Sequence, residues 1–313
     1  MNGGKWMRCK KCEEDQTRCI GKKLFGFKKR GVVEAGAVVY LRRMNSSTTL
    51  VTQSSDSASA CSNPYETERI LREYLLFHYG SAQEVVGYPF APVDALEYPV
   101  RCVRQCVDVS KLGASSRALD LGCAVGRSSF ELARWCGEVI GIDYSAAFIS
   151  AAESVRMSGV LEYQCPVEGE LTMPLKAVRP EAVDPQRVRF EQGDAMALRG
   201  GLGKFDVVLM ANLIDRLREP QRCLASLSAL VSSGGQLVIT SPYTWMEEYT
   251  PRENWLGGKF LGGKPLRTID GLRECLGADF ELLDSMDLPF LIREHARKFQ
   301  WSVAHGTRWI RRG

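Results

Sequence analysis

Short apolar runs, several of them closing on an acid or a glycine turn, recur along the chain from residue 118 onward, with helix-like stretches between them. Residues 118–121 are apolar apart from Asp120 and read as a buried strand. Residues 139–143, 188–191, 205–212 and 234–240 repeat the pattern, and residues 128–135 have helical spacing. Strands alternating with helices predict an α/β fold with a doubly wound, mostly parallel sheet. Residues 280–288 and 301–309 read as two antiparallel strands that bring the sheet to seven, after a helix over 268–276. Upstream, Ile70, Leu71, Tyr74, Leu75 and Phe77 share one face of a helix over 67–78, opened by residues 63–67. A second helix is expected over 98–109. Both precede the sheet and are placed as a lid.

Two segments exceed what a connection needs. Residues 154–187 are far longer than a simple crossover. Within them, 160–165 and 171–176 flank Glu168-Gly169-Glu170, as in an inserted hairpin or flap, although a surface loop fits as well. Residues 241–258 follow the fifth strand at the carboxyl edge of the sheet and are rich in aromatic and charged side chains, which suggests that they face a substrate.

The chemistry lies in the first turn. Gly122 and Gly126 mark a tight strand-to-helix turn, which should offer bare N–H groups at the sheet's carboxyl edge, where nucleotide-like ligands bind. Asp143 closes the second strand about 20 residues on, where a ribose is gripped. Asp120 heads the turn and would repel a pyrophosphate. It suits a ligand with positive charge and no phosphate, namely S-adenosylmethionine. Asp194 and Ala195, after the third strand, are placed at the adenine.

The chain has 313 residues, 45% hydrophobic and 25% charged, which are ordinary values for a globular protein. It has no apolar run of membrane-spanning length. Residues 1–44 hold twelve Lys/Arg against four acids, a net +8, so the remainder is −4 given +4 overall. A mildly acidic body makes no case for a nucleic-acid surface. Residues 1–61 are expected to be a disordered tail or, with the Ser/Thr-rich stretch after Ser46, an organellar presequence, though Glu13-Glu14-Asp15 is unusual in one. Residues 62–313 form the second domain. Cys9, Cys12 and Cys19 lack a fourth ligand at zinc-finger spacing, and His78, His295 and His305 are scattered as structural residues, so no metal centre is expected. The eleven cysteines follow no framework, which points to free thiols in a reducing compartment such as the cytoplasm.

The order of strands and acids resembles the class I S-adenosylmethionine-dependent methyltransferases, a Rossmann-like fold, over about residues 112–313. Ala124 departs from the pattern, standing where the turn's middle glycine is commonest. A narrower resemblance rests on Asn63-Pro-Tyr-Glu-Thr67, Tyr74-Leu-Leu-Phe-His-Tyr-Gly80, Ala211-Asn-Leu-Ile-Asp-Arg-Leu217, Ser241-Pro-Tyr-Thr-Trp245, Thr250-Pro-Arg-Glu253, Trp255-Leu-Gly-Gly258 and Ile292-Arg-Glu-His-Ala-Arg-Lys-Phe-Gln300. These phrases are similar to the 4-mercaptohistidine N1-methyltransferase family, the methyltransferase portion of the ovothiol-synthesising enzyme. The resemblance implies methylation of the imidazole of 5-thiohistidine, with a separate iron-dependent sulfoxide synthase supplying the thiol.

An imidazole needs positioning more than a general base. Asn212 and Asp215 are candidates to hold the ring N–H. Tyr65, Tyr144, Tyr243 and Trp245 are candidates to wall the sulfonium and the ring. Glu247 or Glu248 would meet the substrate ammonium, and Arg252, Arg293 or Arg297 its carboxylate. A methyltransferase of another small amino acid or imidazole, and a protein that binds S-adenosylmethionine without turnover, remain open alternatives.

Overall fold

The computed structural model describes residues 63–313. The expectations for residues 1–61, including the tail and Cys9, Cys12 and Cys19, lie outside the described residues. Eleven strands are present among the described residues: β1 (Arg117–Leu121), β2 (Glu138–Asp143), β3 (Val160–Glu168), β4 (Leu171–Val178), β5 (Val188–Gln192), β6 (Phe205–Ala211), β7 (Val231–Ser241), β8 (Lys259–Leu261), β9 (Lys264–Leu266), β10 (Phe280–His295) and β11 (Lys298–Arg311). The helices are α1 (Glu68–Tyr79), α2 (Ala82–Val85), α3 (Tyr98–Cys106), α4 (Arg127–Leu132), α5 (Ala146–Ser158), α6 (Pro220–Leu230) and α7 (Thr268–Leu276).

Seven strands form the central sheet in the order β10-β11-β7-β6-β1-β2-β5. Neighbours from β7 to β5 pair in parallel, while β11 pairs antiparallel with β7 and with β10. The order reverses at β1, with β2 and β5 on one side and β6 and β7 on the other. That switch point is where a doubly wound sheet opens a crevice at its carboxyl edge.

Period-two alternation sends side chains into two cores. Ala118, Val139, Val207, Leu209 and Val238 pack under α1, α3, α4 and α5. Leu119, Leu121, Ile140, Val208 and Leu237 pack against α6 and α7. Both faces are therefore buried, which explains the near-continuous apolar runs.

The insertion is a hairpin: β3 and β4 pair antiparallel, with Tyr163, Cys165, Leu175 and Ala177 turned into the core. The closing hairpin is longer than expected. β10 and β11 pair through to His295 and Lys298, so the phrase 292–300 forms its tip rather than a loop. The short hairpin β8–β9 was not expected; its Gly262-Gly263 turn has φ of 57° and 78°, which explains the paired glycines. No described helix is long and apolar enough to cross a membrane.

Candidate active site

The turn after β1 is built to hold itself. The Gly122 and Cys123 N–H groups donate to the Ile142 carbonyl at 2.8 and 3.1 Å, and the Gly126 N–H donates to Cys123 O at 2.9 Å. The expected bare amides are thus spent on β2 and on the turn, which leaves little to bind a phosphate. The Asp143 carboxylate clasps both sides of the crevice. Its Oδ2 accepts from the Ala124 N–H and its Oδ1 from the Ser145 N–H, each at 2.9 Å. Burial pushes this carboxyl up, and the two amides oppose the rise. Ala124 holds φ of +47°, a left-handed conformation that suits glycine, so the departure from the family turn is carried as backbone strain.

A segment from upstream closes over the same place. Ser145 Oγ donates to the Tyr65 carbonyl at 3.0 Å, and the Glu66 carboxylate accepts from the Ala146 and Ala147 N–H groups at 2.9 and 3.2 Å. Glu66 thereby caps α5, the helix that Asp143 leads into. The Tyr79 hydroxyl donates to Val125 O at 2.7 Å and ties α1 to the glycine turn. The Tyr65 ring packs on Tyr74, Phe148 and Tyr249 at centroid separations of 6.0, 5.9 and 6.3 Å.

Under this lid lies a cavity of about 650 Å³, within the size range of small-molecule sites. Tyr65, Gly122, Asp143, Tyr144, Asp194, Ala195, Asn212 and Glu248 all line it. Asp194 accepts from the Met196 N–H through Oδ1 at 2.8 Å. A Cβ on Gly122 would lie 3.0–3.3 Å from the Leu213 side chain, so the bare backbone there leaves room that a side chain would fill. Asn212 sits at φ of +52°, and its Oδ1 accepts from the Tyr98 hydroxyl at 2.7 Å. The same hydroxyl lies 2.7 Å from Thr240 Oγ1. Burial holds the Tyr98 pKa well above its ordinary value, so the hydroxyl keeps its proton and donates.

Nine sequence candidates, Arg297 among them, do not line the cavity. Asp120 is fully buried beneath the turn and accepts from the Ser128 and Ser129 hydroxyls at 2.7 and 2.6 Å, steadying the start of α4; its Oδ1 has no partner. Burial raises its pKa to about 6. Gly126 is the left-handed cap of α4, packed against the Phe190 ring. Asp215 accepts from the Thr244 N–H at 2.9 Å and pairs with Arg216 at 3.3 Å, so it braces a loop rather than holding a ligand. The Tyr243 hydroxyl meets His305 Nδ1 at 2.8 Å, and Trp245 stacks on Trp255 and donates to Thr268 Oγ1 at 2.9 Å. Glu247 is exposed. The Arg252 guanidinium lies 6.0 Å from the Trp255 ring centre. Arg293 is buried and donates to the carbonyls of Glu84 and Pro166, stapling β10 to α2 and β3. Of the remaining expectations, His295 sits at the end of β10 with its Nδ1 facing the Arg297 N–H at 3.3 Å.

Sequence reasoning missed three cavity residues of consequence. Tyr98, at the start of α3, carries no local motif, and only the fold brings it to Asn212. His78 is buried without a partner for Nδ1 and is pushed down to about 3, so it stays neutral; the expectation of a hydrogen-bonded structural histidine is corrected. Arg216 lines the cavity from the turn after β6, where its place four residues past Asn212 was the available signal. Among the described residues, no group of three or more potential metal ligands occurs. The seven described cysteines are free thiols, six of them buried.

The family described as "Methyltransferase domain" matches residues 119–239, from β1 to β7. The probable S-adenosylmethionine-dependent methyltransferase CRG1 of Saccharomyces cerevisiae is 32% identical over 87 residues, 28% of this chain. The chain spans about a third (30%) of that relative's length. Among solved structures, magnesium protoporphyrin IX methyltransferase from Synechocystis aligns with a TM-score of 0.47 and 15% identity, covering 80% of this chain and 96% of that one. The N-methyltransferase NodS from Bradyrhizobium japonicum aligns at 0.45 and 14%, covering 77% and 98%. The central sheet is the doubly wound, mostly parallel seven-stranded sheet expected from the sequence, and residues 119–239 are the part that matches the methyltransferase-domain family.

Proposed function

We propose that this chain is an S-adenosylmethionine-dependent N-methyltransferase that acts on the imidazole ring of mercaptohistidine, the last step of ovothiol formation. The observation that carries the activity is one cavity at the switch point of the sheet. There the carboxylates of Asp143 and Asp194, the bare backbone of Gly122 and the side chain of Asn212 meet under an aromatic lid. The acceptor assignment rests on the sequence phrases shared with the mercaptohistidine family. Free buried thiols fit a reducing compartment such as the cytoplasm.

S-adenosylmethionine supplies an electrophilic methyl group on a sulfonium. Each Asp143 oxygen spends one lone pair on an amide and keeps another for a ribose hydroxyl. Asp194 would accept from the adenine amino group. Tyr65 and the neighbouring aromatic rings favour cationic charge, and neutral His78 adds no repulsion. Tyr98 holds one lone pair of Asn212 Oδ1, so the amide turns its N–H donors to the acceptor. That arrangement orients a ring bearing sulfur instead of abstracting a proton, which a largely neutral imidazole does not require. Asp120 steadies the turn from below and Asp215 braces the loop after β6; neither is assigned contact with ligand.

The test is mass spectrometry of the protein incubated with S-adenosylmethionine and either 5-thiohistidine or histidine. A product heavier by one methyl from 5-thiohistidine, with little from histidine, is expected. Methylation of neither, with the cofactor bound, removes the acceptor assignment and leaves the fold.

A further inference from the structure

Arg216 occupies a position that the reading above leaves unexplained. It ends the 3-10 turn Ile214–Arg216 that follows β6, and its side chain is 24% exposed within the cavity lining. One end of the guanidinium is anchored. Nη1 donates to the carbonyls of Asp215 and Thr244 at 2.9 and 3.0 Å and lies 3.3 Å from Asp215 Oδ2. The plane lies 4.9 Å from the Tyr249 ring centre, and Tyr65 borders it as well. The fork is thus fixed by its Nη1 end, supported on an aromatic face and engaged by the Tyr65 hydroxyl, with the Nε and Nη2 donors beyond the one that Tyr65 accepts left for recognition.

Its side of the sheet defines the ligand. Asp143 and Asp194, the nucleoside-facing acids, follow β2 and β5 on one side of β1. Arg216 stands on the other side, between the ends of β6 and β7, with Asn212 and Glu248 in the same cavity. A planar, rigidly held guanidinium matches a carboxylate by two parallel hydrogen bonds. We infer that Arg216 is the specificity-determining residue for an acceptor that carries an α-carboxylate, the part first expected of Arg252, Arg293 or Arg297. The inference rests on the methyltransferase reading and narrows its acceptor to an amino acid, with Glu248 at the cavity rim facing the ammonium.

The experiment compares wild type with Arg216→Gln and Arg216→Lys on 5-thiohistidine and on its decarboxylated analogue, 5-thiohistamine. Arg216→Gln should raise the KM for 5-thiohistidine by about 10- to 100-fold, as expected for the loss of a charge-assisted pair. The KM for 5-thiohistamine should stay within about twofold, and Arg216→Lys, which keeps the charge but not the fork, should fall between. Affinity for S-adenosylhomocysteine, measured by calorimetry, should be unchanged. An equal rise for both acceptors would make Arg216 merely structural. A parallel loss of S-adenosylhomocysteine affinity would assign the guanidinium to the cofactor's own carboxylate. Either overturns the inference. If wild type methylates neither compound, the acceptor assignment fails separately. Histidine and histamine are then titrated onto the S-adenosylhomocysteine-saturated protein. A preference for histidine that Arg216→Gln abolishes sustains the inference, and equal or absent binding overturns it.

Discussion

Replacing Tyr98 by Phe isolates one hydroxyl at the centre of the site. The ring itself stays in place, packed 5.9 Å from Phe77 and 4.8 Å from Phe290 between centroids. What is lost is a pair of 2.7 Å hydrogen bonds, to Asn212 Oδ1 and Thr240 Oγ1. Thr240 keeps Cys102 Sγ at 4.0 Å as a weak alternative, and Asn212 borders a cavity that water can reach. The cost therefore falls at the low end of the range for an orphaned buried group, about 1–2 kcal/mol. For a folded unit of this size that is a fall in Tm of roughly 2–8 °C. Freed from its anchor, the Asn212 amide samples both flips, and losing one orienting hydrogen bond of about 1 kcal/mol corresponds to a drop in kcat of about five- to tenfold. Urea denaturation and initial rates at saturating cofactor measure the two effects independently. A variant destabilised by this amount with kcat unchanged would refute the claim that Tyr98 orients Asn212.

Two further outcomes follow from the turn. Ala124→Gly should relieve the strain at φ of +47° and stabilise the fold by about 1 kcal/mol, visible as a higher urea midpoint; a lower midpoint would contradict the strain. Asp120 makes stability depend on pH in an uncommon sense. Its folded pKa, about 6, lies above the unfolded value, so the native state binds the extra proton and stability falls as pH rises from about 4 to about 6. Asp120→Asn should flatten that part of the urea-midpoint profile and gain most at neutral pH, and an unaltered slope would exclude Asp120 as its source.

The central sheet was legible because both its faces are buried, so its parallel strands show as apolar runs, and β1, β2 and β5 close at Asp120-Leu121, Asp143 and the Gln192-Gly193-Asp194 turn. The side of the cavity lined by Asp143 and Asp194 was legible for the same reason, since those residues follow strand ends directly. The side lined by Tyr98 and Arg216 was not. Trp245, Arg252 and Arg293 have the right chemistry in the right phrases, but the Trp245–Trp255 stack and the backbone carbonyls of Glu84 and Pro166 engage them in holding the loop and the hairpin together. Tyr98 reaches the cavity through tertiary placement, which no local spacing encodes, whereas Arg216, in the turn after β6, had only its distance from Asn212 as a signal. Asp120 illustrates the converse: its place at the head of the turn is plain in the sequence, but its depth is not.

The strap formed by residues 63–67 sets a kinetic condition on whatever occupies the site. Its three hydrogen bonds are accepted by Tyr65 and Glu66 and are all donated by the start of α5, from Ser145, Ala146 and Ala147, just after Asp143. A nucleoside held by Asp143 would stiffen that turn and with it the strap. The gate and the grip are then one element, so a bound nucleoside slows its own escape while the opposite end of the cavity stays available. Under the proposed function such a site would load nucleoside before acceptor, and release of the spent nucleoside would wait on the strap's opening.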